Sequence, residues 1–256
     1  MVALGESMSF AGKVAVITGG SRGIGRDIVL KLAAQKVHVV INYLRNEEAA
    51  QEVKKLAEAQ GVKTLLVQAN VGEPEEIKIL FAKTKEVFPK IDFFIHNAAL
   101  GAFKPVMSLR ENQWDMSLNV NTKAMLLCTQ EAVKLMEGRK GKIVTISSLG
   151  SHRYTPDYGA IGISKAALES LVRYLAVELA PKNIRVNCVS GGPIMTDAIK
   201  MFPKFELMKE ESLKRTPGGR LGEPADLAKV VLFLLSDDSD WIVGQTIVAD
   251  GGLSLF

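Results

Sequence analysis

The sequence predicts the α/β class, with one doubly wound parallel sheet covered by helices on both faces. Two observations carry that prediction. Short apolar runs alternate with segments of helical periodicity along almost the whole chain, the pattern of repeated β–α units. The first run breaks into a glycine-rich turn that opens directly into a helical pattern, the context of a dinucleotide site. No linker, low-complexity tract or repeat divides the 256 residues, so one domain over 1–256 is expected.

Composition narrows the function classes. Hydrophobic residues make up 47% of the chain, enough to fill one large core. A net charge of +4 without an arginine-rich or aromatic-interleaved stripe argues against nucleic acid as a partner. Residues 1–12 have neither the basic start nor the apolar run of an export signal, and no stretch approaches a membrane span, so a cytoplasmic protein with no membrane partner is expected. Cys128 and Cys188 are far apart in apolar segments and lack metal or redox spacing, so they read as buried free thiols and no metal site is expected.

In order, KVAVIT (13–18) is the first strand, GGSRGIG the turn, and RDIVLKLAAQ the first helix. Small residues there let backbone N–H groups approach a pyrophosphate, which makes Gly19, Ser21, Arg22, Gly23, Ile24 and Gly25 cofactor candidates in a Rossmann-type site. The second strand, VHVVINYLRN, ends in Tyr43 and Arg45 with no carboxylate before Glu47. A carboxylate would take a ribose 2′-hydroxyl, whereas Arg45 with Arg22 suits a 2′-phosphate, so the expected cofactor is NADPH. A helix over 47–60, a third strand ending in Asn70 and Val71, a helix over 75–88 and a fourth strand ending in Asn97, Ala98 and Ala99 follow. Asn70 and Val71 are placed against the adenine; Asn97 and Ala98 let the cofactor lie close. His38 and His96 read as structural.

One long helix is predicted over 111–137, then the strand KIVTISS, a helix holding Lys165 in its first turns, and the strand NIRVNCVS. The stretch 193–220, rich in Met, Phe and Lys, reads as a substrate lid of little regular pattern. GEPADLAKVVLFLLS and GQTIVADGG supply the last helix and strand. Chemistry is assigned to 147–167. A phenol four residues before Lys165 would share its helix face, but that position is Ile161. Tyr158 lies seven before, about two turns and roughly 10 Å along the axis, on the same side but displaced.

TGGSRGIG, HNAA, NVN, the paired serines 147 and 148, SKAA, GGPIMT and GQTIVADGG together resemble the short-chain dehydrogenase/reductase superfamily, over almost the whole chain. The departure is the missing tyrosine at 161. A tyrosine with six residues before the lysine resembles the enoyl-acyl-carrier-protein reductases, and VVINYLRN, NAALGAFKPVM, CTQEAVKLME, SSLGSHRY and VSGGPIMTDAIK resemble their NADPH-dependent type III. The resemblance implies Tyr158 as acid, Lys165 as ribose anchor, and Asn121 and Ser148 as the remaining catalytic positions. It also implies Gly192, Ile194 and Thr196 around the nicotinamide, an acyl-carrier protein bearing the enoyl thioester as partner, and a homotetramer paired through the fourth and fifth helices.

Chemistry gives the displaced phenol a reason. A ketone reductase needs its donor one C=O bond, ~1.2 Å, from the attacked carbon. Enoyl thioester reduction puts hydride on the β-carbon and charge on the thioester oxygen two carbons away, so the donor must stand off. The rivals are a 3-oxoacyl or other ketone reductase using Tyr158 or Tyr154, and a non-catalytic NADP(H)-binding scaffold. Tyr154, Leu100, Met195, Ile199 and Phe202 are the substrate candidates, with the lid's other apolar side chains behind them. Lys104, Arg110, Lys200, Lys204, Lys209 and Lys214 form a prospective basic rim for an acidic carrier.

Overall fold

The protein's structure, a computed structural model, describes residues 10–203 and 205–255. Part of the stretch read for export signals, residues 1–9, and Lys204 of the prospective rim lie outside the described residues. Strands β1 (Val14–Thr18), β2 (His38–Tyr43), β3 (Thr64–Gln68), β4 (Phe93–His96), β5 (Gly141–Ser148), β6 (Ile184–Gly191) and β7 (Thr246–Ala249) form one sheet in the order β3-β2-β1-β4-β5-β6-β7. All six pairings are parallel. The chain builds outward from β1 to β3, then returns to β4 beside β1 and builds the other way. That reversal opens a crevice at the carboxyl ends of β1 and β4, where open α/β sheets bind ligands.

Helices α1 (Gly23–Ala34), α2 (Glu47–Glu58) and α9 (Pro224–Leu235) pack Ile28, Leu32, Val53, Leu227 and Leu234 on one face. Helices α3 (Pro74–Val87), α5 (Ala124–Met136) and α6 (Gly159–Leu179) pack Leu80, Phe81, Met125, Leu168 and Val172 on the other. Central strands covered twice must be apolar throughout, which is why β1 reads VAVIT and is buried at every position.

Two expectations need correction. The helix over 111–137 is interrupted: α4 (Glu111–Leu118) passes into a π turn, Asn119–Lys123, before α5. In that turn the Ala124 N–H donates to the Asn119 carbonyl, five residues back, widening the ladder by one residue. The lid is also more regular than its sequence suggests, containing α7 (Asp197–Lys200) and α8 (Phe205–Arg215). On α8, Lys209 pairs with Glu206, and Lys214 with Glu210 and Glu211. Pairs three and four apart support a helix by about 0.2–0.5 kcal/mol each without an apolar stripe. Among the described residues no helix is long and apolar enough to cross a membrane.

Candidate active site

The glycine turn is fixed from three sides. Thr18 Oγ1 accepts from the Asn97 and Ala98 amides at 3.0 and 3.1 Å, and Asn97 Nδ2 donates back to the Thr18 and Gly19 carbonyls. Asn42 Oδ1 accepts from the Gly19 amide, while its Nδ2 donates to the Val67 and Ala69 carbonyls. Thr18 and Asn42 were not among the candidates; the signal was a polar residue inside an otherwise apolar strand. Gly19 has φ +64°, and a Cβ on Gly25 would sit 2.2 Å from the Gly19 carbonyl oxygen, so the turn closes only with glycine at both places.

Beyond the turn, Arg22 is the N-cap of α1 but makes no side-chain cap hydrogen bond. The opening amides of that helix are therefore available to an anion. Ser21 is buried there and Ile24 half-buried. Arg22 and Arg45 are exposed, and neither joins an ion pair among the described residues. Tyr43 is buried at the end of β2, Val71 is buried just past β3, and Asn70 Oδ1 accepts from the Gly72 amide. The glycine cradle, helix N-terminus and two unpaired guanidinia fit the pyrophosphate and 2′-phosphate of NADP(H).

Tyr158 is the N-cap residue of α6, not a member of the helix two turns before Lys165. The left-handed Asp157 (φ 59°) turns the chain into it, and its carbonyl starts the helix by accepting from the Gly162 amide at 2.8 Å. The ring lies on glycine: a Cβ at Gly150 would be 2.5 Å from Tyr158 Cδ1, and one at Gly162 would be 2.5 Å from the Gly150 oxygen. Phe103 stacks on it at 6.1 Å. Burial pushes the phenol above its ordinary pKa, and the neighbouring Ser148 hydroxyl opposes that rise. Ser148 Oγ is itself buried without a hydrogen bond of normal geometry among the described residues. Ile161, in the position where a phenol would share the face of Lys165, is buried against Gly101, where an added Cβ would meet its Cγ1 at 2.2 Å.

Lys165 is buried, with Nζ donating to the Ile146 carbonyl at 2.7 Å. Burial lowers its pKa to about 8, against the raising influence of Cys188 and Glu169. Asn121 is buried in the π turn. Its Oδ1 accepts from the Leu100 amide, and its Nδ2 donates to the Leu100 carbonyl and to Ser164 Oγ. The side chain thus ties the π turn to the loop after β4 and to α6. His96 is fully buried, its pKa lowered to about 3 by burial and by Lys165, and His38 accepts from the Lys63 amide. Both are structural, and no metal cluster occurs among the described residues.

On the lid side, Ile194 is buried, Gly192 backs onto Asp250, and the Met195 amide donates to the Gly222 carbonyl. Thr196 caps α7 by accepting from the Ile199 amide, and its methyl carbon lies 3.3 Å from where a Gly23 Cβ would be. Phe202 meets Phe103 edge-on at 5.3 Å, forming an aromatic series that ends on Tyr158. Leu100 is half-exposed and Ile199 half-buried. Tyr154 is not brought in, being 90% exposed. The basic rim is largely neutralised: Lys200, Lys209 and Lys214 pair with carboxylates of their own helices, leaving Lys104 and Arg110 exposed without an ion pair among the described residues.

Residues 19–254 match the family model described as enoyl-(acyl carrier protein) reductase. The chain is similar to 1-cyclohexenylcarbonyl-CoA reductase of Streptomyces collinus, 42% identical over 95% of this chain and 87% of that protein. It is also similar to 3-oxoacyl-[acyl-carrier-protein] reductase FabG of Staphylococcus aureus, 35% identical over 94% and 98%. Among solved structures, a short chain dehydrogenase of Burkholderia cenocepacia in complex with NADP aligns with TM-score 0.90 and 31% identity over 96% of this chain and all of that one. The angucycline C-6 ketoreductase LanV with bound NADP aligns with TM-score 0.89 and 32% identity over 97% and 98%.

Proposed function

The chain belongs to the short-chain dehydrogenase/reductase family, and within it we propose that it is an NADPH-dependent enoyl thioester reductase working on acyl chains carried by an acyl-carrier protein. The observation that supports this reading best is the location of the phenol. Tyr158 stands at the helix cap beside Ser148, while the position four before Lys165 is an isoleucine packed into Gly101. When bound, NADPH supplies hydride to the β-carbon of the conjugated thioester.

The chain's own residues do the rest. The glycine turn and α1 hold the pyrophosphate, and Arg22 and Arg45 hold the 2′-phosphate. Lys165 anchors the nicotinamide ribose and keeps a positive charge behind Tyr158. The Tyr158 O–H, kept protonated by its buried setting, donates to the thioester oxygen as the enolate forms. Phe103, Phe202 and the lid's Met195 and Ile199 surround the acyl chain and exclude water. Lys104 and Arg110 meet the carrier's acidic surface. The catalytic chain folds as one domain with 193–220 as its lid, works in the cytoplasm and assembles as a homotetramer. The Streptomyces relative's named substrate, an alkene conjugated to a thioester carbonyl, lends this reading support.

A second reading is 3-oxoacyl reduction. The Ser148 hydroxyl beside the phenol favours it, because a serine–tyrosine pair suits a ketone oxygen, as does the resemblance to the Staphylococcus reductase. The deciding experiment follows NADPH oxidation with a trans-2-enoyl thioester and a 3-oxoacyl thioester of equal length. Preference for the enoyl substrate is expected; preference for the oxo substrate overturns the reading. In Tyr158→Phe, turnover should fall by about 10²–10⁴ with NADPH still bound.

A further inference from the structure

Two side chains of α6, one helical turn apart, reach neighbouring residues of β5. Lys165 Nζ donates to the Ile146 carbonyl, and the Ser147 hydroxyl donates to Glu169 Oε1 at 2.5 Å. The carboxylate is thereby held over the strand position next to the lysine's own anchor, and it faces no ion-pair partner among the described residues. Arg173, one turn further along α6, and Lys123 in the π turn are both exposed, and neither forms an ion pair with it among the described residues.

The other titratable groups of this edge of the sheet are silent near neutral pH. Cys188 on β6 interacts with both Lys165 and Glu169, but burial pushes its thiol up to about 12, so it remains uncharged. His96 on β4 is neutral above about pH 3. The Tyr158 phenol is raised and stays protonated. Glu169 is the remaining group that raises Lys165.

We propose that Glu169 is a positioning residue, tethered by Ser147, whose charge keeps the buried Lys165 ammonium protonated while the enzyme works. This deepens the proposed function: it rests on Lys165 serving as the cation behind Tyr158, and not on which thioester is reduced. The sign follows from electrostatics. A nearby negative charge favours the ammonium over the amine, so its removal lets burial depress Lys165 further.

The test is Glu169→Gln, which keeps the shape and an oxygen to accept from Ser147 but removes the charge. Lys165 is titrated in the cofactor-free protein by NMR of [13Cε]lysine, with assignment from Lys165→Arg. The midpoint should fall by on the order of 1 pH unit, and the alkaline limb of kcat/KM for NADPH oxidation should move by the same amount. Glu169→Asp should restore most of the shift. Should Glu169→Gln fail to fold, Ser147→Ala releases the tether alone and should move the midpoint in the same direction by less. An unmoved midpoint in the folded variants overturns the proposal. A lowered midpoint in a protein that reduces neither thioester upholds the role of Glu169 and removes the enoyl reductase reading instead.

Discussion

A buried lysine serves each end of β5, Lys142 from the strand itself and Lys165 reaching in from α6, and the two are furnished in opposite ways. At the amino end, Lys142 Nζ donates to the Ser236 carbonyl at 2.7 Å, to Ser239 Oγ, and to Asp240 Oδ1 at 2.6 Å. Lys140 and Arg139 beside it pair with Asp237 and Asp92. At the carboxyl end, Lys165 has one carbonyl acceptor from the chain. Of the four buried side-chain polar atoms without a hydrogen bond of normal geometry among the described residues, three lie at the carboxyl ends of strands: His96 Nε2, Ser148 Oγ and Ser190 Oγ. A fold satisfies buried polar groups wherever it can. At the amino edge the chain satisfies its own buried polar groups, and at the carboxyl edge it leaves several short of partners.

Substituting the two lysines alike breaks this comparison most directly. Lys165→Met should lower turnover by about 10²–10⁴ while the cofactor-free protein becomes more stable by about 1–3 kcal/mol. The gain should depend on pH with a definite sign. Folded Lys165 titrates near 8 and the unfolded side chain near 10.5. Below 8 both states are protonated and the fold carries the full cost of burying the charge; between the two values stability rises with pH as that cost disappears. Urea unfolding at several pH values should therefore show the advantage in full below about 8 and none above about 10.5.

Lys142→Met should do the reverse, lowering unfolding free energy by about 2 kcal/mol with turnover per folded molecule unchanged. The figure is modest because Asp240 is partly exposed and keeps Lys140 as a partner. The smallest effect sharpens the contrast at the cofactor end. Arg22→Ala with Arg45→Ala should reduce the preference for NADPH over NADH by about tenfold, measured as the ratio of kcat/KM, without altering the thermal midpoint.

Legibility in the sequence follows the same division. The sheet was readable because strands buried on both faces must be apolar throughout, and the glycine turn because its backbone tolerates nothing else. The π turn left no mark, since the Asn121 bonds to Leu100 and Ser164 that accompany it join residues distant in sequence. Helix α8 was hidden because its charges surround it and only one of its residues, Ser212, is buried. Tyr158 was identified by type and spacing, but its station at the cap required knowing that Gly150 leaves room for the ring and Gly162 for Gly150. Tyr154, equally aromatic and four residues away, had the same sequence credentials and faces solvent. Spacing names the chemistry available; packing decides which side chain reaches it.

The glycines around that phenol have a use in genomics. Gly101 admits Ile161, Gly159 admits Val106, Gly150 admits the Tyr158 ring, and Gly162 admits Gly150. A chain that keeps this phenol together with Ile161 and Val106 needs small residues at those four places. Together with a tyrosine seven before the lysine they make a search key spanning 65 residues, able to separate homologues that inherited this arrangement from those whose similar tyrosine arose by chance.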